Sequence, residues 1–167
     1  MLAIFKREFK SYFQNVIGWL FVAALLAVYG LYFYVYNLKN GYPYISYDLN
    51  GIGFIMMIAV PILTMRSLSD EKKTKTDQLM LTSPVSVERI VAGKYFAMAA
   101  VYTIVIALFA LSPLVLSIYG KVALSEAYVA LFGYWLYGLS CIAVGLFISS
   151  ISESVIISAI LTFTALF

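Results

Sequence analysis

SYFQNVIGWLFVAALLAVYGLYFYVYNL, residues 11–38, runs for 28 positions without an Asp, Glu, Lys, Arg or His. A bilayer hydrocarbon core of about 30 Å needs about 20 residues of helix to cross it. The apolar centre of the run, 16–36, therefore reads as a membrane-spanning helix. Outward from it the pattern repeats. Residues 49–65 form a 17-residue uncharged run that contains Asn50, Gly51 and Pro61, which predicts a short or bent crossing at 50–66 because a proline removes a donor and crowds the preceding turn. Two 26-residue runs, 95–120 and 127–152, predict crossings at 95–119 and 127–150. Pro113 is expected to kink the first of them, and Gly133, Gly138 and Gly145 to admit close neighbours in the second. The last run, 154–167, has 14 residues, enough helix for about 21 Å. The expected fold is one all-α, polytopic transmembrane domain over 1–167, truncated in its fifth helix.

Composition points the same way. Apolar residues make up 63% of the 167, against about 45–50% in an average soluble domain, and the 11 Lys/Arg and 8 Asp/Glu bunch at a few places. With no His and a single cysteine, Cys141, the chain has neither a His-bearing triad nor an internal disulfide. It has no P-loop to cradle a nucleotide. The uncharged crossings also lack the ionisable groups on which channels and proton relays depend. Asp48, Glu126 and Glu153 fall at helix ends and read as solvated boundaries. The N-terminus is basic and then apolar, but its apolar part is too long for a signal core and is read as retained.

Nine of the eleven basic residues lie before the first crossing or between the second and third; Lys39 and Lys121 are the other two. The positive-inside rule then places the N-terminus and the 66–94 segment in the cytoplasm. Seven of the fourteen tyrosines (Tyr29, Tyr32, Tyr34, Tyr36, Tyr42, Tyr44 and Tyr47) surround the opposite end, as headgroup-level anchors do. Before the first crossing, Leu2, Phe5, Phe9, Tyr12, Phe13 and Val16 share one broad helical face, with Lys6, Arg7, Glu8 and Lys10 away from it. This predicts an interfacial helix over 1–14, with Phe5 and Phe9 toward the bilayer and Lys6, Arg7 and Lys10 toward anionic headgroups. A plain basic flank that sets topology fits the same residues.

Between the second and third crossings stands Asp70-Glu71-Lys72-Lys73-Thr74-Lys75-Thr76-Asp77-Gln78-Leu79-Met80-Leu81-Thr82-Ser83-Pro84. Thr74 and Asp77 match a capping box, so a two-turn helix is expected from Thr74 to about Thr82, where Pro84 opposes continuation. So short a helix needs outside support. Leu79, Met80 and Leu81 cover more than one of its faces; they fit either a partner's pocket or a return to the bilayer. Ser86 is placed to cap the third long helix, with Glu88 and Arg89 in its first turn.

The order of these segments, with Pro61-Ile62-Leu63-Thr64-Met65-Arg66-Ser67-Leu68-Ser69 ahead of the charged run and Glu88-Arg89-Ile90-Val91-Ala92-Gly93-Lys94 behind it, resembles the ABC-2 family of ABC transporter permease subunits. It is similar in particular to permeases of gliding-motility and nitrous-oxide-reductase maturation systems, of which the chain would form the N-terminal two thirds. That resemblance implies a six-helix subunit that pairs with a second permease subunit, as a homo- or heterodimer, and with two cytoplasmic ABC ATPase subunits. Residues 70–84 would be the coupling-helix hairpin that docks on the ATPase, through Glu71, Lys72, Lys73, Thr76, Asp77, Leu79, Met80, Leu81, Ser83 and Pro84. Lys75, Asp77 and Gln78 depart from the residues common in the family. The implied function is an ATP-driven exporter in the inner membrane, with ATP and Mg held by the partner, no cofactor on this chain and no nucleic-acid partner. A membrane assembly or signalling subunit that recruits a cytoplasmic protein through the same hairpin is the alternative.

Overall fold

The computed structural model describes residues 2–69, 72, 86–119 and 122–167. The described residues are all-α or irregular, and they form a bundle. Helix α1 (Leu2–Gln14) leads through Asn15 into α2 (Val16–Tyr32), which continues as a π-helical segment, Phe33–Lys39. Then come α3 (Ile45–Thr64), α4 (Val87–Phe109), α5 (Ser112–Tyr119), α6 (Leu124–Ile151) and α7 (Val155–Leu166). Among the described residues, four spans are long and apolar enough to cross a membrane: Val16–Lys39, Ile45–Thr64, Val87–Ile118 and Leu124–Ile151; Val155–Leu166 is shorter. The spans run alternately between a basic end, which carries α1 and the start of α4, and a tyrosine end, which carries the 40–44 link.

Helix α3 sits at the centre, against α2, α6 and α7. It presents Ile52, Met56, Val60 and Leu63 to the core, each at most 1% exposed. Large apolar side chains on the outside of the bundle, among them Trp19, Leu31, Phe132, Phe147 and Ile156, are more than half exposed. On a soluble protein such a surface would be an association hazard; against lipid it is the ordinary outer face.

Lipid is as apolar as leucine, so close packing and hydrogen bonds hold such helices together. The Tyr102 hydroxyl of α4, fully buried, donates to the Tyr134 carbonyl of α6 at 2.7 Å. Its ring occupies the space beside Gly138, where an added Cβ would stand 2.2 Å from it. At Gly145 the same space is filled by Thr64 of α3, 2.5 Å from where a Cβ would be. Gly138 and Gly145 thus make the seam expected of them. Gly133 does not, and borders open space.

Three differences from the sequence reading have physical causes. Helix α3 starts at Ile45, earlier than the expected 50, and holds Pro61 within its last turn. The third span is interrupted: α4 ends at Phe109 and α5 begins at Ser112, so Pro113 falls in a first turn, where its missing N–H costs no helical bond. Tyr29 is no interfacial anchor. It is buried, its ring stacked on Phe109 at 3.9 Å between centroids and its hydroxyl bonded to Ser112.

Candidate docking platform at the basic end

Of the residues expected to dock a partner, the described set contains Lys72. Glu71, Lys73, Thr76, Asp77, Leu79, Met80, Leu81, Ser83 and Pro84 lie outside it, as does the expected helix from Thr74 to Thr82. What is described is the chain on either side of the 70–84 segment, residues 65–69 and 86–94.

The departing stretch of chain follows α3 through a turn at 65–67. It is fastened by Ser149 of α6, a fully buried residue whose hydroxyl oxygen accepts from the backbone N–H of both Leu68 and Ser69 at 3.2 Å. The Ser69 hydroxyl turns back to the Met65 carbonyl, and the Lys72 N–H donates to the Leu68 carbonyl at 3.1 Å. Ser149→Ala strips two backbone donors of their acceptor, each worth about 1–3 kcal/mol if left unsatisfied. Thermal denaturation of the detergent-solubilised protein is expected to show a clear loss of stability, and proteolysis at 68–72 should rise with it.

The returning chain enters α4 after Ser86, whose backbone is extended and whose carbonyl accepts from the N–H of Arg89 at 3.0 Å. Position 86 therefore caps the helix as expected, though through its backbone, since its hydroxyl makes no cap bond. Glu88 and Arg89 are exposed, while Ile90 turns inward. One turn on, Lys94 is 2% exposed. Its Nζ donates to the Ser67 carbonyl at 2.9 Å and lies 3.4 Å from Glu8 Oε1. That carboxylate also accepts from exposed Arg7 at 2.9 Å.

Lys94 therefore ties three pieces together: the N-terminal helix, the chain leaving α3 and the first turns of α4. Beside it Ile4 of α1 rests over Gly93, 3.0 Å from the position of an added Cβ. Along α1, Phe5 and Phe9 stack at 5.8 Å and Phe9 meets Phe13 at 5.1 Å. Phe9 and Phe13 pack on the core, while Lys6, Arg7 and Lys10 are exposed. An apolar groove of about 630 Å³ opens next to the platform between α4 and α6, lined by Leu68, Val91, Tyr95, Leu146 and Phe147 and with Glu88 at its edge. The sequence reading did not include the groove or the Lys94 knot. The chain that leads up to residue 70 is thus fastened to α4 and α6, and α4, which follows the 70–84 segment, is tied to α1 through Lys94 and Glu8.

At the tyrosine end a cavity of about 370 Å³ lies between α3 and α6, with Asn50, Gly53, Gly133 and Tyr134 in its lining. Among the described residues no group of His, Cys, Asp and Glu is arranged to hold a metal ion.

No curated protein and no solved structure matches the chain. A family model described as ABC-2 family transporter protein matches residues 33–167, a stretch that takes in α3, the 66–94 segment and both of its anchors, and everything through α7. With a match over most of its length to a multi-span bundle of this kind, the chain belongs to the ABC-2 transporter family.

Proposed function

We propose that the chain is the membrane-spanning subunit of an ATP-driven exporter, worked by a separate cytoplasmic ATPase docked on the 70–84 hairpin. The observation that carries this reading is the platform: Lys94 of α4 and Ser149 of α6 fasten residues 67–69, just ahead of the 70–84 segment, and Lys94 also meets Glu8 of α1. A hairpin held in this way can convert a partner's displacement into movement of α3, α4 and α6, whereas a loosely tethered one would absorb it. ATP does useful work only if the docked segment meets different partner geometries in different nucleotide states.

In this reading the basic end faces the cytoplasm and the multi-span bundle sits in the inner membrane. Helix α1 lies along the inner headgroups, with Lys6, Arg7 and Lys10 toward them and Phe5 and Phe9 beneath. A second permease subunit completes the pathway, and ATP with Mg resides in the partner. Leu79, Met80 and Leu81 supply the apolar docking contact; Glu71, Lys72, Lys73, Thr76, Asp77, Ser83 and Pro84 orient it. Within the family, the pattern is similar to that of the gliding-motility and nitrous-oxide-reductase maturation permeases.

Gentle purification of the tagged protein from its own membrane, followed by mass spectrometry, tests this. A near-stoichiometric partner that carries a P-loop is the expected result. A stable complex whose partners lack any nucleotide-binding motif would replace transport by recruitment of an assembly or signalling protein.

A further inference from the structure

Asp48, read from the sequence as a solvated helix end, is fully buried in the first turns of α3. A buried ionisable group inside a membrane bundle is costly, and such groups mark functional positions more often than packing ones. Its described partner is Asn37, itself 5% exposed, on the π-helical segment that precedes the 40–44 link. The Asn37 amide Nδ2 donates to Asp48 Oδ2. The two remaining oxygens of the pair, Asn37 Oδ1 and Asp48 Oδ1, are both buried and both without a hydrogen-bond partner among the described residues. Among the described residues, the ion pairs are those of Glu8 with Arg7 and Lys94, and Asp48 has none.

An ionised carboxylate only accepts, and a carboxamide oxygen only accepts. With one N–H···O bond already made, both remaining oxygens lack a donor among the described residues, and an ionised Asp48 would be a buried charge with no counter-ion among them. One proton removes both faults. On Asp48 Oδ1 it neutralises the carboxyl and supplies a donor for Asn37 Oδ1, so that the two side chains close a two-pronged ring. A metal cation would also neutralise the charge, but Na⁺-like or Ca²⁺-like ions gather several oxygens and need room for them. Neither Asp48 nor Asn37 lines any of the described cavities.

We infer that Asp48 and Asn37 form a proton-binding site within the membrane bundle, a carboxylic acid–carboxamide ring that latches the π-helical segment to the start of α3. The ligand is a proton drawn from water. The latch lies at the tyrosine end, remote from the docking platform, and it does not depend on how that platform is used. To separate the two arms both hydrogen bonds must break.

The ring makes a specific forecast for Asp48→Asn. An asparagine at 48 can give its own N–H to Asn37 Oδ1 and accept from Asn37 Nδ2, so the two prongs survive without a proton. Infrared spectroscopy of the purified full complex in lipid at neutral pH is expected to show a carbonyl band of a protonated carboxylic acid, sensitive to D₂O and lost in Asp48→Asn. The thermal midpoint of Asp48→Asn should stay near that of the wild type, while Asp48→Ala, which removes both prongs, should fall clearly below it. The inference is overturned if the wild type lacks such a band, or if the band survives in Asp48→Asn. It is equally overturned if Asp48→Asn is as unstable as Asp48→Ala, or if added Na⁺ or Ca²⁺ stabilises the wild type but not Asp48→Asn, the mark of a metal cation at the site.

Discussion

Lys94→Met is expected to destabilise the protein by about 3 kcal/mol and to loosen the N-terminal helix from the bundle. Breaking a buried ion pair by removing one member costs about 3–5 kcal/mol. The lower end applies here, because Glu8 is 15% exposed at its side chain and keeps Arg7 as a partner. Methionine matches the lysine stem in length and apolar bulk, so little packing is lost. Among the described residues, what disappears is the donor to the Ser67 carbonyl and the charge that holds Glu8. The companion variant Glu8→Gln, combined with Lys94→Met, should be less damaging than the two single costs added together. Their interaction energy measures the pair directly. Chemical denaturation in micelles reads these values. A Lys94→Met protein within about 0.5 kcal/mol of wild type, the range of ordinary surface substitutions, would show that the knot carries no strength.

A second large effect is expected at Leu81, in the 70–84 segment. Leu81→Asp puts a charge into a contact that the proposed function requires to be apolar and desolvated. Anchor residues at interfaces are worth about 2–4 kcal/mol, so binding of the ATPase should weaken by roughly a hundredfold or more. Membrane insertion should be untouched, since the segment lies outside the spans. The two variants fail differently: Lys94→Met weakens the fold without altering the 79–81 contact residues, while Leu81→Asp leaves the fold intact and weakens docking. Quantitative co-purification with thermal denaturation of the same samples separates them. Retention of the ATPase by Leu81→Asp would remove Leu81 from the contact.

The spans were legible because charge is expensive in a bilayer, and an uncharged run of about 20 residues is the length that a crossing demands. The core face was partly legible. Ile90, Lys94, Ala97 and Val101 fall at helical spacing, and Ala97 and Val101 are fully buried. Lys94 shares their face, and that periodicity is the signal that turns it away from the surface. Tyr29 likewise follows Val22 and Leu25 on the buried side of α2, a period that outweighs its nearness to the loop tyrosines. Asp48 offered no such signal. It precedes the uncharged run by one residue, and its partner Asn37 meets it only because the 40–44 link folds the chain back. Ser149 was equally hidden. Serine in a spanning helix usually bonds its own preceding turn, and nothing in the sequence links position 149 to the N–H groups of 68 and 69. Contacts that depend on tertiary approach stayed out of reach, while those that depend on what lipid excludes did not.

The central claim, that a nucleotide-driven partner works this bundle through the 70–84 hairpin, is tested most directly by disulfide cross-linking from position 81. Cys141 is buried and is the chain's one cysteine, so Leu81→Cys introduces a single accessible thiol. In the native complex, with cysteines scanned along the partner's surface, the account predicts a cross-link to a P-loop subunit whose yield differs between the nucleotide-free and ATP-bound states. A cross-link confined to a subunit that binds no nucleotide, or a yield unchanged by ATP, would contradict it.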